Sequence, residues 1–207
     1  MKLVSIERDG APAARSALER CIAEGGVAIY PADGLYGLAA DPLDPAAIDR
    51  IHRLKGRDDG KPSAVLYFSP LAMRELVSGL GPRARDAVGA LLPGPVTLVL
   101  DNPRHRYPLA CREDPARLGV RLLDGPLAGV MQPIFQTSAN VSGDPAPSRF
   151  EDLPEAIVDG SDLAIDGGAL TGLPSTVVDI ASIDVDGSWA ILREGGLATE
   201  RVGEVLG

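Results

Sequence analysis

The stretch Gly26-Val27-Ala28-Ile29-Tyr30-Pro31-Ala32-Asp33-Gly34-Leu35-Tyr36-Gly37, continuing through Asp44-Pro45 to Lys55-Gly56-Arg57 and Lys61-Pro62, decides the fold class. Val27 to Tyr30 is a short apolar run bounded by glycine and proline, the pattern of a buried strand. A turn at Pro31-Ala32-Asp33-Gly34 and a second glycine turn at Gly37 follow. Asp44 then predicts an N-cap, Pro45 the first helical residue, and Ile48, Ile51 and Leu54 a common apolar face. Gly56 ends that helix. A strand that feeds a helix is the unit of an α/β sheet, and here it delivers Lys55 and Arg57 together into the polar loop Asp58 to Pro62.

Working outward, Leu3–Ile6 reads as a strand, and a helix from Pro12 to Glu24 puts Ala14, Ala17, Leu18, Cys21 and Ile22 on one side. Strands are predicted at Ala64–Phe68, Val96–Leu100, Leu118–Leu122, Ile134–Gln136 and Leu163–Ile165, with a pair at Pro174–Ile180 and Trp189–Arg193 joined through Asp184–Gly187. Helices are predicted from Ser69-Pro70, from Pro82 to Leu92, around Pro126 to Met131, over Phe150 to Val158, and from Thr199 to Leu206. Asp101 to Arg117 reads as irregular and charged. No repeat or linker divides the chain, so residues 1–207 are expected to form a single α/β domain with a twisted, mixed, largely open sheet flanked by helices.

The chain has 20 Lys plus Arg against 29 Asp plus Glu, a net charge of −9, which speaks against a generally nucleic-acid-coating surface. Cys21 and Cys111 are far apart and in no C-x-x-C arrangement, so neither a disulfide framework nor a zinc site is expected. No apolar run is long enough to cross a bilayer and the first residues lack a signal-peptide h-region, so a cytoplasmic location is the expectation.

The familiar catalytic motifs are missing. Gly56 to Ser63 superficially follows a P-loop but is one residue short between its glycines and carries Pro62 between Lys61 and Ser63. There is no G-x-G-x-x-G after a strand, no H-E-x-x-H and no G-x-S-x-G. His52 and His105 have no partner at ligand spacing. Taken singly, Lys55 could complement a helix C-terminus, Ser138 and Asn140 could cap a turn, and Arg193 could be a solvated charge. Arg121 differs, because a cation inside the apolar strand Leu118–Leu122 calls for an anionic partner. Together, these cations, hydroxyls and amides at element ends form a donor set for polyphosphate that needs no P-loop.

In order along the chain, these residues resemble the YrdC-like threonylcarbamoyl-AMP synthases. The matching blocks are Tyr30-Pro31-x-Asp33-x-Leu35-Tyr36-Gly37-Leu38, Lys55-Gly56-Arg57 with Lys61-Pro62, Pro93-Gly94-Pro95-Val96-Thr97-Leu98, Gly119-Val120-Arg121, Ser138-Ala139-Asn140-x-Ser142-Gly143, Pro174-Ser175-Thr176-Val177-Val178-Asp179 and Leu192-Arg193-Glu194-Gly195. The resemblance implies the family's single-domain form and a nucleotidyltransferase making threonylcarbamoyl-adenylate and pyrophosphate from L-threonine, bicarbonate and ATP with Mg²⁺. The product would supply a tRNA threonylcarbamoyl transferase complex. By the same resemblance Lys55, Arg57, Ser138 and Asn140 are the catalytic set, and with Lys61 and Arg193 they surround ATP. Asp33, Tyr36, Arg121, Gln136 and Ser175 match the threonine side, and no residue is implied as a resident metal ligand. Two alternatives stand beside this reading: a paralogue acting on another amine or in carbamoyl transfer, and a non-enzymatic domain binding double-stranded RNA or tRNA.

The chain departs from the pattern at Ala32 and Gly34, where the family usually has threonines, and at Leu66, where many members have a histidine. Lost hydroxyls are expected to weaken discrimination for threonine, and threonines restored at 32 and 34 to tighten its binding. Lys55→Ala or Arg57→Ala is expected to cost activity while leaving stability nearly unchanged.

Overall fold

The computed structural model describes residues 1–56 and 62–207, so Arg57 and Lys61 lie outside the described residues. Ten strands among the described residues form one sheet. They are β1 (Lys2–Ser5), β2 (Ala28–Pro31), β3 (Tyr36–Ala40), β4 (Ala64–Tyr67), β5 (Val96–Asp101), β6 (Arg117–Leu122), β7 (Ile134–Ser138), β8 (Leu163–Asp166), β9 (Thr176–Asp179) and β10 (Ala190–Arg193). Their spatial order is β1-β8-β2-β3-β7-β4-β6-β5-β9-β10. The pairs β1/β8, β2/β8, β4/β6 and β5/β9 are parallel and the rest antiparallel, so the expected mixed, open α/β sheet is the observed architecture.

The helices are α1 (Ile6–Asp9), α2 (Ala11–Ala23), α3 (Pro45–Leu54), α4 (Pro70–Ser78), α5 (Pro82–Leu91), α6 (Pro108–Cys111), α7 (Glu155–Asp159) and α8 (Thr199–Leu206). Helix starts read from local chemistry are present: the Asp44 side chain accepts from the amides of Ala46 and Ala47, and the Ser69 hydroxyl from Leu71. Helix α5 begins without a local side-chain cap; its Arg83 and Ala84 amides donate instead to Asp184, about a hundred residues downstream in the chain.

Four local predictions are corrected. Gly37 is no turn but the middle of β3, paired with Tyr30 and Ser138; a Cβ there would lie 2.8 Å from the Tyr30 ring, so glycine permits that close approach. Ile6 opens α1 rather than closing β1, because the Ser5 hydroxyl accepts from the Arg8 amide. Pro126 to Met131 forms turns, with Gly125 and Gly129 at positive φ, rather than a helix. The segment after Phe150 divides into a 3₁₀ turn (Phe150–Asp152) and α7, because Leu153-Pro154 is extended.

Strand alternation puts two clusters on opposite faces of the sheet. One face buries Ile29, Leu38, Val65, Leu98, Val120, Phe135 and Val178 under α3, α4, α5 and α8. On the other, Ala28, Tyr30, Ala39, Leu66, Ile134 and Ile165 pack against Ala14, Ala17, Leu18 and Ile22 of α2. The remaining part of that second face, across β4, β6, β5 and β9, carries Ala64, Gly119, Arg121, Thr97, Val99, Val177 and Asp179 and lines a cleft. The cleft therefore exists because the second face is covered over only part of the sheet. No helix among the described residues is long and apolar enough to cross a membrane.

Asp162 joins β8 to β2: its carboxylate accepts from the Val27 amide at 2.8 Å and from Arg50 at 2.7 Å. Its burial opposes ionisation, but the Arg50 and Val27 hydrogen bonds outweigh that and hold its pKa below the usual carboxylate range. A lowered folded pKa gives stability that is present above the unfolded value of about 4 and lost as pH falls through the folded value. Asp162→Ala is expected to cost on the order of 1 kcal/mol at pH 7, screened because the pair is partly exposed, with the deficit shrinking as the pH falls below the ordinary carboxylate range. Urea midpoints at pH 7 and below that range check this; an equal deficit at both would assign the effect to packing.

Candidate active site

The cleft has a volume of about 750 Å³ and runs from the Ala32–Leu35 turn and the start of β3, across β7, β4, β6 and β5, to β9 and β10. That size lies within the range typical of small-molecule sites. Arg121 is the side chain about which its polar groups are arranged. It stands on β6, buried, with its Nη1 donating to Gln136 Oε1 at 3.0 Å and its Nη2 paired with Asp33. Tyr30, buried beneath, donates its hydroxyl to the same Gln136 oxygen at 3.0 Å. The Arg121 Nε–H is buried and has no partner among the described residues. Burial raises the pKa of Asp33 and the Arg121 charge opposes that rise without cancelling it. The anionic partner that sequence pattern required for Arg121 is thus supplied from within the chain.

Arg193 reaches the cleft through a β-bulge. Ile191 opposes Val178 and Arg193 opposes Val177, so Leu192 is the extra residue, and both Leu192 and Arg193 line the cleft. The Arg193 Nη2 donates to the Ser175 carbonyl at 2.7 Å and to the Ser175 hydroxyl at 3.1 Å, and Nε donates to the same carbonyl at 3.2 Å. Its pKa is lowered, chiefly by enclosure of the guanidinium and then by the Arg121 charge. Two cations held within each other's field favour an anionic ligand between them.

Ser138 lines the cleft, whereas Lys55 and Asn140 lie behind it. Lys55 is 2 % exposed, and its Nζ donates to the carbonyls of Ser138 and Asn140, the latter at 2.8 Å, and to Asn140 Oδ1 at 3.1 Å. The Ser138 hydroxyl donates to that same Oδ1, and Asn140 Nδ2 donates to the carbonyls of Val141 and Asp144 at 2.9 and 2.7 Å. The Ser142 amide returns to the Lys55 carbonyl at 2.8 Å. Lys55 therefore ties the end of α3 to the loop after β7, and the expectation that its removal would leave stability nearly unchanged is corrected by this burial.

Tyr36 lines the cleft as well, and its hydroxyl is engaged within the protein. Its OH donates to the Gly168 carbonyl at 2.8 Å and accepts from the Gly167 amide at 3.0 Å, so it anchors the loop after β8. Burial pushes its pKa up to about 12. Leu66 is wholly buried in the α2-side core. Asp33, Arg121, Gln136, Ser175, Ser138 and Arg193 come together, with Lys55 and Asn140 one layer back, while Arg57 and Lys61 lie outside the described residues.

Sequence reasoning missed Thr97, whose hydroxyl is 2.8 Å from that of Ser175, and Arg117, which is paired with Asp179 and lies 3.7 Å from Asp114 at the far end of the cleft. Thr97 was legible as the polar position in Val96-Thr97-Leu98, since its apolar neighbours must face the other way. Arg117 was hidden in a segment read as irregular. Leu173 and Leu192 edge the opening and are 56 % and 59 % exposed.

Comparisons with known proteins agree with the motif reading. The pattern of the Sua5/YciO/YrdC family, described as Telomere recombination, matches residues 20–195. The chain is 31 % identical over 197 residues to the threonylcarbamoyl-AMP synthase of Pyrococcus abyssi, covering 90 % of this chain but 55 % of that protein. It is 30 % identical over 195 residues to a putative threonylcarbamoyl-AMP synthase of Mycobacterium tuberculosis, covering 90 % of this chain and 86 % of that one. The crystal structure of P. abyssi Sua5 complexed with L-threonine superposes with a TM-score of 0.81 at 27 % identity, over 100 % of this chain and 61 % of that one. The chain thus spans little more than half of the Pyrococcus protein and most of the Mycobacterium one.

Proposed function

This chain belongs to the Sua5/YciO/YrdC family, and we propose that it is a threonylcarbamoyl-AMP synthase acting as one domain over residues 1–207 in the cytoplasm. Its substrates in this reading are L-threonine, bicarbonate and MgATP. One observation carries it: Arg121 and Arg193 share a single cleft with Ser175, Gln136 and Ser138, with room for an amino acid beside a nucleotide. The overall acidity of the chain does not oppose this, because the donors are local.

Arg121 takes the threonine carboxylate, for which its Asp33 pairing is the internal substitute, and Ser175 adds a hydroxyl contact. The threonine nitrogen is carboxylated by bicarbonate with loss of water. A carbamate oxygen then attacks the α-phosphorus as the bond to the departing pyrophosphate oxygen breaks, so no enzyme nucleophile is required. The protein contributes positioning and charge: Arg193 meets phosphate oxygens, and Ser138 is held at the cleft wall by Lys55 and Asn140. No group of three His, Cys, Asp or Glu among the described residues could hold a metal. The cleft carboxylates Asp33, Asp114 and Asp179 are occupied by arginines. Mg²⁺ fits as the ion carried by the triphosphate, most of its ligands being phosphate oxygens and water. The product is a reactive mixed anhydride suited to immediate use by a tRNA threonylcarbamoyl transferase complex.

Pyrophosphate release from purified protein, ATP, Mg²⁺ and bicarbonate, measured across an amino-acid panel with product mass, tests the reading. Threonine is expected to give the largest response. Because Ala32 offers no hydroxyl, serine is expected to turn over within one to two orders of magnitude of threonine. Strict threonine specificity would show that other groups discriminate. No response to any amino acid would overturn the reading in favour of a paralogue, and tight double-stranded RNA binding without pyrophosphate release would favour the RNA-binding alternative.

A further inference from the structure

We propose that Thr97 is a positioning residue that makes the Ser175 hydroxyl an obligate donor to the ligand. The inference rests on the reading of the cleft given above. The Ser175 hydroxyl has one proton and two lone pairs to distribute. Arg193 has only protons to offer, so its Nη2, at 3.1 Å, occupies one lone pair. The Thr97 hydroxyl lies at 2.8 Å, both residues are 8 % exposed, and the proton between them can run either way.

If Ser175 gave its proton to Thr97, the group presented to the cleft would be a lone pair, which repels a carboxylate or phosphate oxygen. If Thr97 donates, both Ser175 lone pairs are filled and its proton must turn toward the cleft. The cleft's arginines select the second arrangement, because an anionic ligand there needs a donor. Thr97 is also held in the orientation this requires. Its side chain is β-branched and stiff about χ1, and its Cγ2 lies toward Gly119, 3.6 Å from where a Cβ on that glycine would stand.

Two substitutions separate hydroxyl from shape. Thr97→Val keeps the branched outline and removes the proton; Thr97→Ser keeps the proton and loses the methyl. In the pyrophosphate assay, Thr97→Val is expected to raise the KM for L-threonine roughly 10-fold, with kcat changed less than about 2-fold and Tm near the parent. Thr97→Ser is expected to recover most of that loss. In a Ser175→Ala background, Thr97→Val is expected to add nothing, since the effect runs through Ser175. If Thr97→Val does not fold, Thr97→Ala is read against Thr97→Ser in the same way. A parental KM in the hydroxyl-free variant, or a full additive effect in the Ser175→Ala background, overturns the assignment while leaving the function intact. A parent chain that no amino acid stimulates overturns the functional reading and this assignment with it.

Discussion

Lys55→Ala will lower stability and activity together. The substitution strips the Lys55 donor from two carbonyls, those of Ser138 and Asn140, and leaves Asn140 Oδ1 with the Ser138 hydroxyl alone, in a place where Lys55 is almost entirely out of water. Each buried acceptor left without a donor costs about 1–3 kcal/mol, and because they share one cluster the costs do not simply add, so the total is expected at on the order of 3 kcal/mol. For a chain of this length that corresponds to roughly 6–12 °C in Tm. The activity loss follows from the same atoms. The Ser138 hydroxyl is aimed by Asn140, and Asn140 is held by Lys55, so their release displaces a cleft wall, and kcat/KM is expected to fall on the order of 10²-fold even at a temperature where the variant is folded. Calorimetry beside the pyrophosphate assay reads both effects. A variant that melts with the parent but is inactive would make Lys55 a ligand contact alone; one that melts early but keeps full activity would make it structural alone.

The contrast between Lys55 and Asp44 explains what the sequence could and could not convey. Asp44 caps the helix of which Lys55 is the C-cap, and its partners are two and three residues away, so local chemistry identifies it. Lys55 works through residues more than eighty positions distant, and nothing in Lys55-Gly56-Arg57 says that its amino group is buried. The same holds for Asp184, which caps α5 from afar, and for Asp33, which neutralises Arg121 across 88 positions. Strands rich in branched residues were legible. β3 was not, because Tyr36-Gly37-Leu38-Ala39-Ala40 has little intrinsic strand character and owes its form to pairing with β2 and β7. Arg121 was legible as a site residue for a physical reason, its charge among apolar neighbours. The bulge that brings Leu192 and Arg193 to the cleft depends on register, which a single strand does not encode.

Gly34→Thr will damage the protein rather than restore a threonine contact, against the expectation from motif comparison alone. Gly34 is not among the residues with positive φ, so the obstacle is not backbone strain. It is space: a Cβ at position 34 would lie 2.0 Å from the Leu173 carbonyl oxygen and 2.8 Å from the Thr171 hydroxyl, while the Gly172 amide is bonded to the Gly34 carbonyl at 2.9 Å. The clash is with main chain that is pinned to the turn, and so cannot be relieved by a rotamer change. Overpacking of this kind costs about 1–3 kcal/mol, with a clash against backbone at the upper end. The segment forced away is the one that leads through Leu173 and Pro174 to Ser175, so the Ser175 hydroxyl and the Arg193 guanidinium bound to it move with it. A shift of about 1 Å in such groups is enough for a loss on the order of 10²-fold in kcat/KM for threonine. Ala32→Thr is the control. Ala32 lines the cleft, and a threonine there is expected to leave Tm near the parent and to lower the KM for threonine relative to serine. Melting curves and the amino-acid panel on the two single variants decide the matter: a Gly34→Thr protein as stable as the parent and tighter for threonine would show that the 171–174 segment yields, and that the missing hydroxyl, not the packing, limits this site.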